Sequence, residues 1–288
     1  MPVPLKKIVL LTCALFQLFA HGCQKNEQFP VVYDLTQIEQ EALSSGPGAL
    51  CVFDIDDVLL VEEEAQRGYI EDRKKILDKV FASHASDPII IQLLFSIMLR
   101  DKQLELPDTR IPEMFSNLRR NGVAVVGLTS AGAGRYYAIH SLSDLRNREL
   151  FRVGVDLRPP VEISPIYFTT LSKKNSIPIY KDGILFTDGI CEKGPLLCAF
   201  LKRIGLRPNK VIFVDDTLRH LHSVKEAMTG LNIPCSCYHD RVIDVLPKSF
   251  DEKITELQFK HLLEHRQWLN AQQAQKTLCD SLSPANTK

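Results

Sequence analysis

Three short runs in this chain are apolar without alternation: Leu50-Cys51-Val52-Phe53, Val123 to Leu128, and Val211-Ile212-Phe213-Val214. A strand with one wet face alternates apolar and polar residues, so these runs predict strands covered on both faces, as in a parallel sheet. Each run ends abruptly in polar chemistry. Asp54-Ile55-Asp56-Asp57 follows the first, Thr129 and Ser130 the second, and Asp215 with Asp216 the third. Carboxylates are rarely buried without a partner, so such clusters imply a metal ion, a basic group or a shared proton.

Helical patterns lie between these runs. Ile111, Met114, Phe115 and Leu118 trace an amphipathic stripe that Gly122 stops. Gly194-Pro195 opens a second helix with Leu197, Phe200, Leu201 and Ile204 on its stripe, closed by Gly205. A third uses Leu218, Leu221 and Met228 and stops at Gly230, before a strand around Ile233 to Tyr238. Leu35, Ile38 and Leu43 predict a short helix broken by Gly46-Pro47-Gly48, and Ala131 to Gly134 reads as a flexible loop. Ile184 to Thr187, between two Asp-Gly turns, reads as a strand of a hairpin or a sheet edge. The expected fold class is therefore α/β, a Rossmann-like doubly wound parallel sheet, whose ligands bind at the carboxyl ends of the strands. Neighbouring strands lie about 4.8 Å apart, so residues ending adjacent strands can meet at one ligand.

Around that core, about 61–110 predicts a helical cap insertion, dense in charge to Lys79 and apolar from Ile89 to Leu99. The core spans 47–248, preceded by a tether and short helix at 23–46. A polar helix from Phe250 to about Gln275, packing through Phe259, Leu262, Leu263 and Leu269, and a tail complete 249–288. Residues 1–22 have the layout of an export signal peptide: Lys6 and Lys7, a nearly unbroken apolar run from Ile8 to Ala20, then His21, Gly22 and Cys23. The run is short for a transmembrane helix, which needs about 20 apolar residues. Three outcomes stand open: a periplasmic protein, a lipoprotein attached to the membrane through a lipidated Cys23, and an uncleaved interfacial anchor.

Lysine plus arginine and aspartate plus glutamate number 35 each. That balance provides no field to draw nucleic acid or an acidic membrane, so neither is expected as an electrostatic partner. No Cys-x-x-Cys is present, which argues against a zinc site; Cys235 and Cys237 share a strand face and are expected to pack.

The order Asp54-Ile55-Asp56-Asp57-Val58-Leu59, apolar strand plus Thr129, Lys193 at a helix start, and apolar strand plus Asp215-Asp216 resembles the four motifs of the haloacid dehalogenase (HAD) superfamily. The long insertion and the Lys193-Gly194 helix start resemble its bacterial DUF2608 branch. The resemblance implies the HAD fold, with Asp54 attacking phosphorus to form an aspartyl-phosphate and Asp56 serving as general acid and then base. It also implies that Thr129, with Ser130 beside it, binds phosphoryl oxygens and that Lys193 neutralises charge next to Asp54. A carboxylate two residues after the nucleophile marks the phosphatase members. A dianionic ester approaches a carboxylate only where positive charge offsets the repulsion, which fits magnesium, a cation of oxygen ligands. Its expected ligands are Asp54, the Asp56 carbonyl and Asp216, with Asp215 in support.

Taken singly, an Asp-x-Asp is a turn or helix cap, Thr129 a strand-end hydroxyl and Lys193 a surface lysine. Their order along one chain, each at a strand end or helix start, favours the functional reading. Two departures stand out: Ala131-Gly132-Ala133-Gly134 lacks the arginine many such phosphatases carry after the motif-two hydroxyl, and Asp57 replaces the usual small residue. The sequence thus points to an exported Mg²⁺-dependent phosphatase acting on a phosphorylated small molecule or a phosphoprotein. The alternative is a catalytically silent HAD-like surface or interaction protein.

Overall fold

The computed structural model describes residues 28–62, 87–173, 176–247 and 250–282. The signal segment with Cys23, and the charged part of the insertion, lie outside them. In chain order the elements begin with β1 (Val31–Val32), α1 (Thr36–Ser45), β2 (Leu50–Phe53), β3 (Val61–Glu62), α2 (Pro88–Asp101) and β4 (Leu104–Glu105). Next come α3 (Ile111–Arg120), β5 (Ala124–Thr129), α4 (Leu142–Arg152), β6 (Ile166–Tyr167), β7 (Ile179–Lys181) and β8 (Ile184–Phe186). The last are α5 (Lys193–Ile204), β9 (Val211–Asp215), α6 (Leu218–Gly230), β10 (Cys235–Asp240), α7 (Val242–Val245), α8 (Glu252–His265) and α9 (Ala271–Leu282).

The main sheet runs β1-β10-β9-β2-β5-β8-β7-β6. All pairings from β1 to β8 are parallel, and the β8-β7-β6 end is antiparallel. The unbroken apolar runs have the expected cause. Cys51, Phe53, Val125, Ile212 and Val214 pack on one side with Ile38 of α1 and Met114, Phe115 and Leu118 of α3. Leu50, Val52, Val126, Val211 and Phe213 pack on the other with Leu197 and Phe200 of α5 and Leu221, Val224 and Met228 of α6. Successive residues of each strand enter opposite cores, so neither face tolerates a polar side chain. The α/β, doubly wound expectation holds.

Ile184–Phe186 is the hairpin strand of the two readings, interior because β5 pairs with it on one side and β7 on the other. The structure differs from expectation in three places. Leu218 is exposed, and His220 takes the buried place beside Leu221. The loop 131–134 is pinned rather than free: Asp188 N donates to the Ala131 carbonyl at 3.1 Å, Ser143 N to Ala133 at 3.1 Å and Leu142 N to Gly134 at 2.9 Å. The single tail helix is two, α8 and α9, because Arg266 takes a left-handed φ of 56° and Trp268 folds back onto Phe259, their rings 5.3 Å apart.

The insertion hangs from an antiparallel neck, β3 with β4. Its helix α2 starts at Asp87, whose carboxylate accepts from Ile89 N and Ile90 N, with proline in the first turn. Ile91, Leu94, Ile97 and Met98 of α2 form a separate apolar cluster with Phe259, Leu262 and Trp268. The tail thus packs through Phe259 and Leu262, as expected, and it does so on the insertion.

Candidate active site

β2 lies between β9 and β5, in register Phe53 to Val214 and Phe53 to Gly127. Asp54 N continues the ladder by donating to the Val214 carbonyl at 2.9 Å. The three polar strand ends therefore open on one crevice, as the sequence implies. Asp54, Thr129 and Asp215 are all buried there.

Lys193 is the cation of this crevice. It is 1% exposed, and its Nζ lies 2.7 Å from Asp54 Oδ1 and 2.7 Å from Asp215 Oδ2. What places it is the first turn of α5. Gly194 lies so close to α6 that an added Cβ would stand 2.1 Å from the Ser223 carbonyl oxygen, and Gly194 N donates to Ser223 Oγ at 3.0 Å. Withdrawal from water works against the lysine's charge, but Asp215 and Asp54 outweigh it and hold the ammonium firmly protonated.

Asp54 Oδ1 also accepts from Ile55 N at 2.7 Å, so Oδ2 is the oxygen turned away from both donors. Burial pushes this carboxyl well above the ordinary range; Lys193 pulls it down, and Asp215, Asp216 and Asp56 push it further up. Asp215 behaves oppositely. Burial raises it, but Lys193 and His220 bring it below the usual value. Its oxygens are fully engaged, Oδ2 with Lys193 and Oδ1 with Thr217 N at 2.9 Å and His220 Nδ1 at 3.1 Å. The Asp216 carboxylate accepts from its neighbour Thr217 Oγ1 at 3.2 Å and from no other group among the described residues, while its backbone carbonyl lies 2.9 Å from His239 Nε2. Burial and Asp215 raise its carboxyl.

Asp56 stands across the crevice with its side chain 47% accessible. Its Oδ1 lies 2.7 Å from Arg146 Nη2, and Thr129 Oγ1 is 3.4 Å from its Oδ2. Loss of surrounding water would raise its carboxyl, yet Arg146, Lys102 and Lys193 together bring it below the ordinary value. Thr129 Oγ1 accepts from Ala131 N at 3.0 Å, so its one proton is aimed at Asp56. Ser130 Oγ lies 3.4 Å from His220 Nε2. Asp57 takes a left-handed φ of 63°, and burial together with Asp216, Asp56 and Glu62 pushes its carboxyl up to about 7.

Three side chains here went unread in the sequence: Arg146, its partner Glu149 at 2.8 Å, and His220. His220 donates from Nδ1 to Asp215, which leaves Nε2 as an acceptor facing Ser130 and the donor-only Arg219 Nη2 at 3.4 Å.

The donor set suits a divalent cation of oxygen ligands. Among the described residues, the cationic side chains bonded to Asp54, Asp56, Asp57, Asp215 and Asp216 are Lys193 and Arg146, so negative charge is in surplus. Asp54, Asp215 and His220 also bring ligand atoms within 4.8 Å of one another. Lys193 already bonds to both of those carboxylates and His220 is tied to Asp215, while Asp54 Oδ2 is turned away from Lys193 and Ile55 N. A carboxyl raised in the folded state loses stability as pH climbs from its unfolded value of 3.8 through its folded one, about 7 for Asp57. A cation displaces those protons, so Mg²⁺ should raise Tm more at about pH 7.5 than at about pH 5. Thermal melts with and without the ion at both pH values check this, and an equal shift would contradict it.

The family described as "Protein of unknown function (DUF2608)" matches residues 32–275. The uncharacterized protein RP296 of Rickettsia prowazekii (strain Madrid E) is 22% identical over 229 residues, covering 80% of this chain and 82% of that one. Among solved structures, the HAD family enzyme bt-2542 from Bacteroides thetaiotaomicron is 15% identical over 66% of this chain and 92% of its own, at a TM-score of 0.34. Its magnesium complex is 13% identical over the same shares, at 0.33. With its match running from the first strand into the last helix, this chain belongs to the DUF2608 family.

Proposed function

We propose that this protein is an exported, Mg²⁺-dependent phosphatase that hydrolyses phosphomonoesters through an aspartyl-phosphate on Asp54. The observation that carries the reading is Lys193, a fully buried cation bonded at 2.7 Å to both Asp54 and Asp215 at adjacent strand ends. An enzyme that brings a phosphate dianion onto a carboxylate needs positive charge fixed beside the nucleophile before substrate arrives.

Asp54, the Asp56 carbonyl and Asp216 would hold the magnesium, which when bound neutralises charge on the phosphoryl oxygens. The chain's own groups do the rest. Asp54 attacks phosphorus through Oδ2 while Lys193 holds Oδ1, forming the O–P bond as the ester O–P bond breaks. Asp56, which Arg146 holds ionised in the free site, takes up the proton that a monoanionic ester carries in and passes it to the departing alkoxide. A water then attacks the aspartyl-phosphate, Asp56 takes back a proton from it, and Asp54 is regenerated with release of inorganic phosphate. Ser130 takes the phosphoryl contact, while Thr129 is turned to Asp56.

The substrate is a phosphorylated small molecule or a phosphoprotein. The purified chain should hydrolyse p-nitrophenyl phosphate with Mg²⁺ and stop when the ion is chelated. No turnover with any divalent ion would overturn the phosphatase reading and favour the silent, interaction-protein alternative. Export is tested separately, by the mass of the native N-terminus, which distinguishes an uncleaved chain, a simply cleaved one and one lipidated at Cys23.

A further inference from the structure

Asp56 is a half-accessible carboxylate on a tight loop, followed by the left-handed Asp57. Left to itself such a side chain would sample several rotamers, and proton delivery to a leaving oxygen would be correspondingly diluted. Instead Arg146 Nη2 holds its Oδ1 at 2.7 Å, and Thr129 Oγ1 lies 3.4 Å from its Oδ2. Arg146 comes from α4, 90 residues further along the chain. It is itself fixed, because Nη1 is held at 2.8 Å by Glu149 one helical turn on, and their side chains are only 13% and 5% exposed. The helix is anchored by Leu145 and Leu150 in the core and by Ser141 Oγ, which accepts from Asp144 N at its start.

A buried ion pair is a weak source of stability, since desolvating the charges offsets most of their attraction. Its geometry is better suited to fixing a direction. The guanidinium is a planar fork that holds each carboxylate in a fixed direction, whereas a lysine ammonium is a compact charge that leaves its partner free to turn. The loop Ala131 to Gly134 has no arginine of its own, so this charge reaches the crevice from α4 instead.

We infer that Arg146, braced by Glu149, is the positioning residue of the acid/base group: it fixes the Asp56 carboxylate in the orientation that serves the leaving oxygen and then the attacking water. The inference rests on the phosphatase reading above. It makes two demands on kinetics. kcat/KM reports the steps up to release of the alcohol, where a poor leaving group needs the proton and a good one does not. The second step, hydrolysis of the aspartyl-phosphate, needs Asp56 whatever the ester.

The test compares the intact chain with Arg146→Ala and Arg146→Lys on p-nitrophenyl phosphate and on a simple alkyl phosphate. The expected result is a loss of kcat/KM of roughly 100-fold on the alkyl ester and under about 10-fold on the aryl ester in both variants, within the range of general acid catalysis. Guanidinium, well below denaturing concentration, should restore alkyl ester turnover in Arg146→Ala but not in Arg146→Lys. Acid-quenched Arg146→Lys should also carry a phosphoryl group on the Asp54 peptide during turnover of the aryl ester. Equal losses on the two esters without guanidinium rescue would make Arg146 a structural ion pair and overturn the inference. So would full activity in both variants. If the unaltered chain cleaves neither ester, the phosphatase reading itself falls; an active chain with failed rescue removes only the role of Arg146. Should Arg146→Ala not fold, Arg146→Lys, which keeps the buried charge, decides through the leaving-group comparison and the trapped phosphoenzyme.

Discussion

Asp54→Asn will abolish turnover, with kcat falling at least about 10⁴-fold, the scale on which removal of a nucleophile acts. The amide keeps the shape of the carboxylate, and its oxygen can still accept from Ile55 N and Lys193, which retains Asp215 as its second partner. Folding should therefore survive. Burial and three neighbouring acids already work against the charge of Asp54 in the metal-free state, so a neutral side chain there is not a strain. The expected Tm without metal stays within a few degrees of the unaltered protein, while the gain in Tm on adding Mg²⁺ is largely lost. Activity in Asp54→Asn at anything near the starting rate would remove Asp54 as nucleophile. Unfolding of the variant would mean that the carboxylate is a structural partner of Lys193 first.

Lys193→Met should fail in both respects at once. The substitution keeps most of the apolar stem but strips the cation from between Asp54 and Asp215, leaving two buried carboxylates without the group that bonds them. Removing one partner of a buried ion pair costs about 3–5 kcal/mol. For a domain of this size that corresponds to a fall in Tm on the order of 10 °C. The deficit should depend on pH in a direction fixed by linkage. Asp54 is raised in the folded state even beside the lysine and is raised further without it, so stability is lost as pH climbs from 3.8 upward and the variant approaches the parent in acid. Catalysis should drop by roughly 10²–10³-fold from loss of fixed positive charge. Melts across pH, read beside initial rates in Mg²⁺, check both halves; a variant as stable as its parent at neutral pH would mean that the buried pair contributes nothing net.

The site was legible at its strand ends and illegible on its helices, for a physical reason. Asp54, Asp215 and Asp216 each end an apolar run, and in that order with Thr129 and Lys193 the turn and cap explanations that serve each singly no longer suffice. Arg146 sits in Leu142-Ser143-Asp144-Leu145-Arg146-Asn147-Arg148-Glu149, where its neighbours on the helix face are Ser143 and Glu149, so the stripe it shares looks solvated although Ser143 and Glu149 are buried. His220 was hidden by Leu218, which completes an apolar spacing on paper but is 46% exposed in the fold. The sheet itself followed from patterning, with the exceptions set by long-range pairing. Two residues, Val31 and Val32, are too few to signal a strand, and only the pairing of Gly127, Leu128 and Thr129 with Ile184, Leu185 and Phe186 makes β8 interior. The break at Arg266 has no local mark, since neither glycine nor asparagine stands there.

The apolar cluster that joins α2 to α8 and Trp268 bears on the order in which the chain matures on the ribosome. Ile91 to Met98 leave the ribosome early, and the Phe259 side chain they pack against follows roughly 160 residues later. By then every strand of the sheet has been synthesised and can have paired. The nascent chain thus passes through a period in which its crevice is assembled but the insertion beside it has no apolar seat, and its exposed isoleucines and leucines are open to a chaperone. A stop codon before α8 would make that period permanent, producing a chain with every strand-end carboxylate in place and a sticky, unseated helix. Its failure would show first as aggregation, ahead of any change in the chemistry of Asp54.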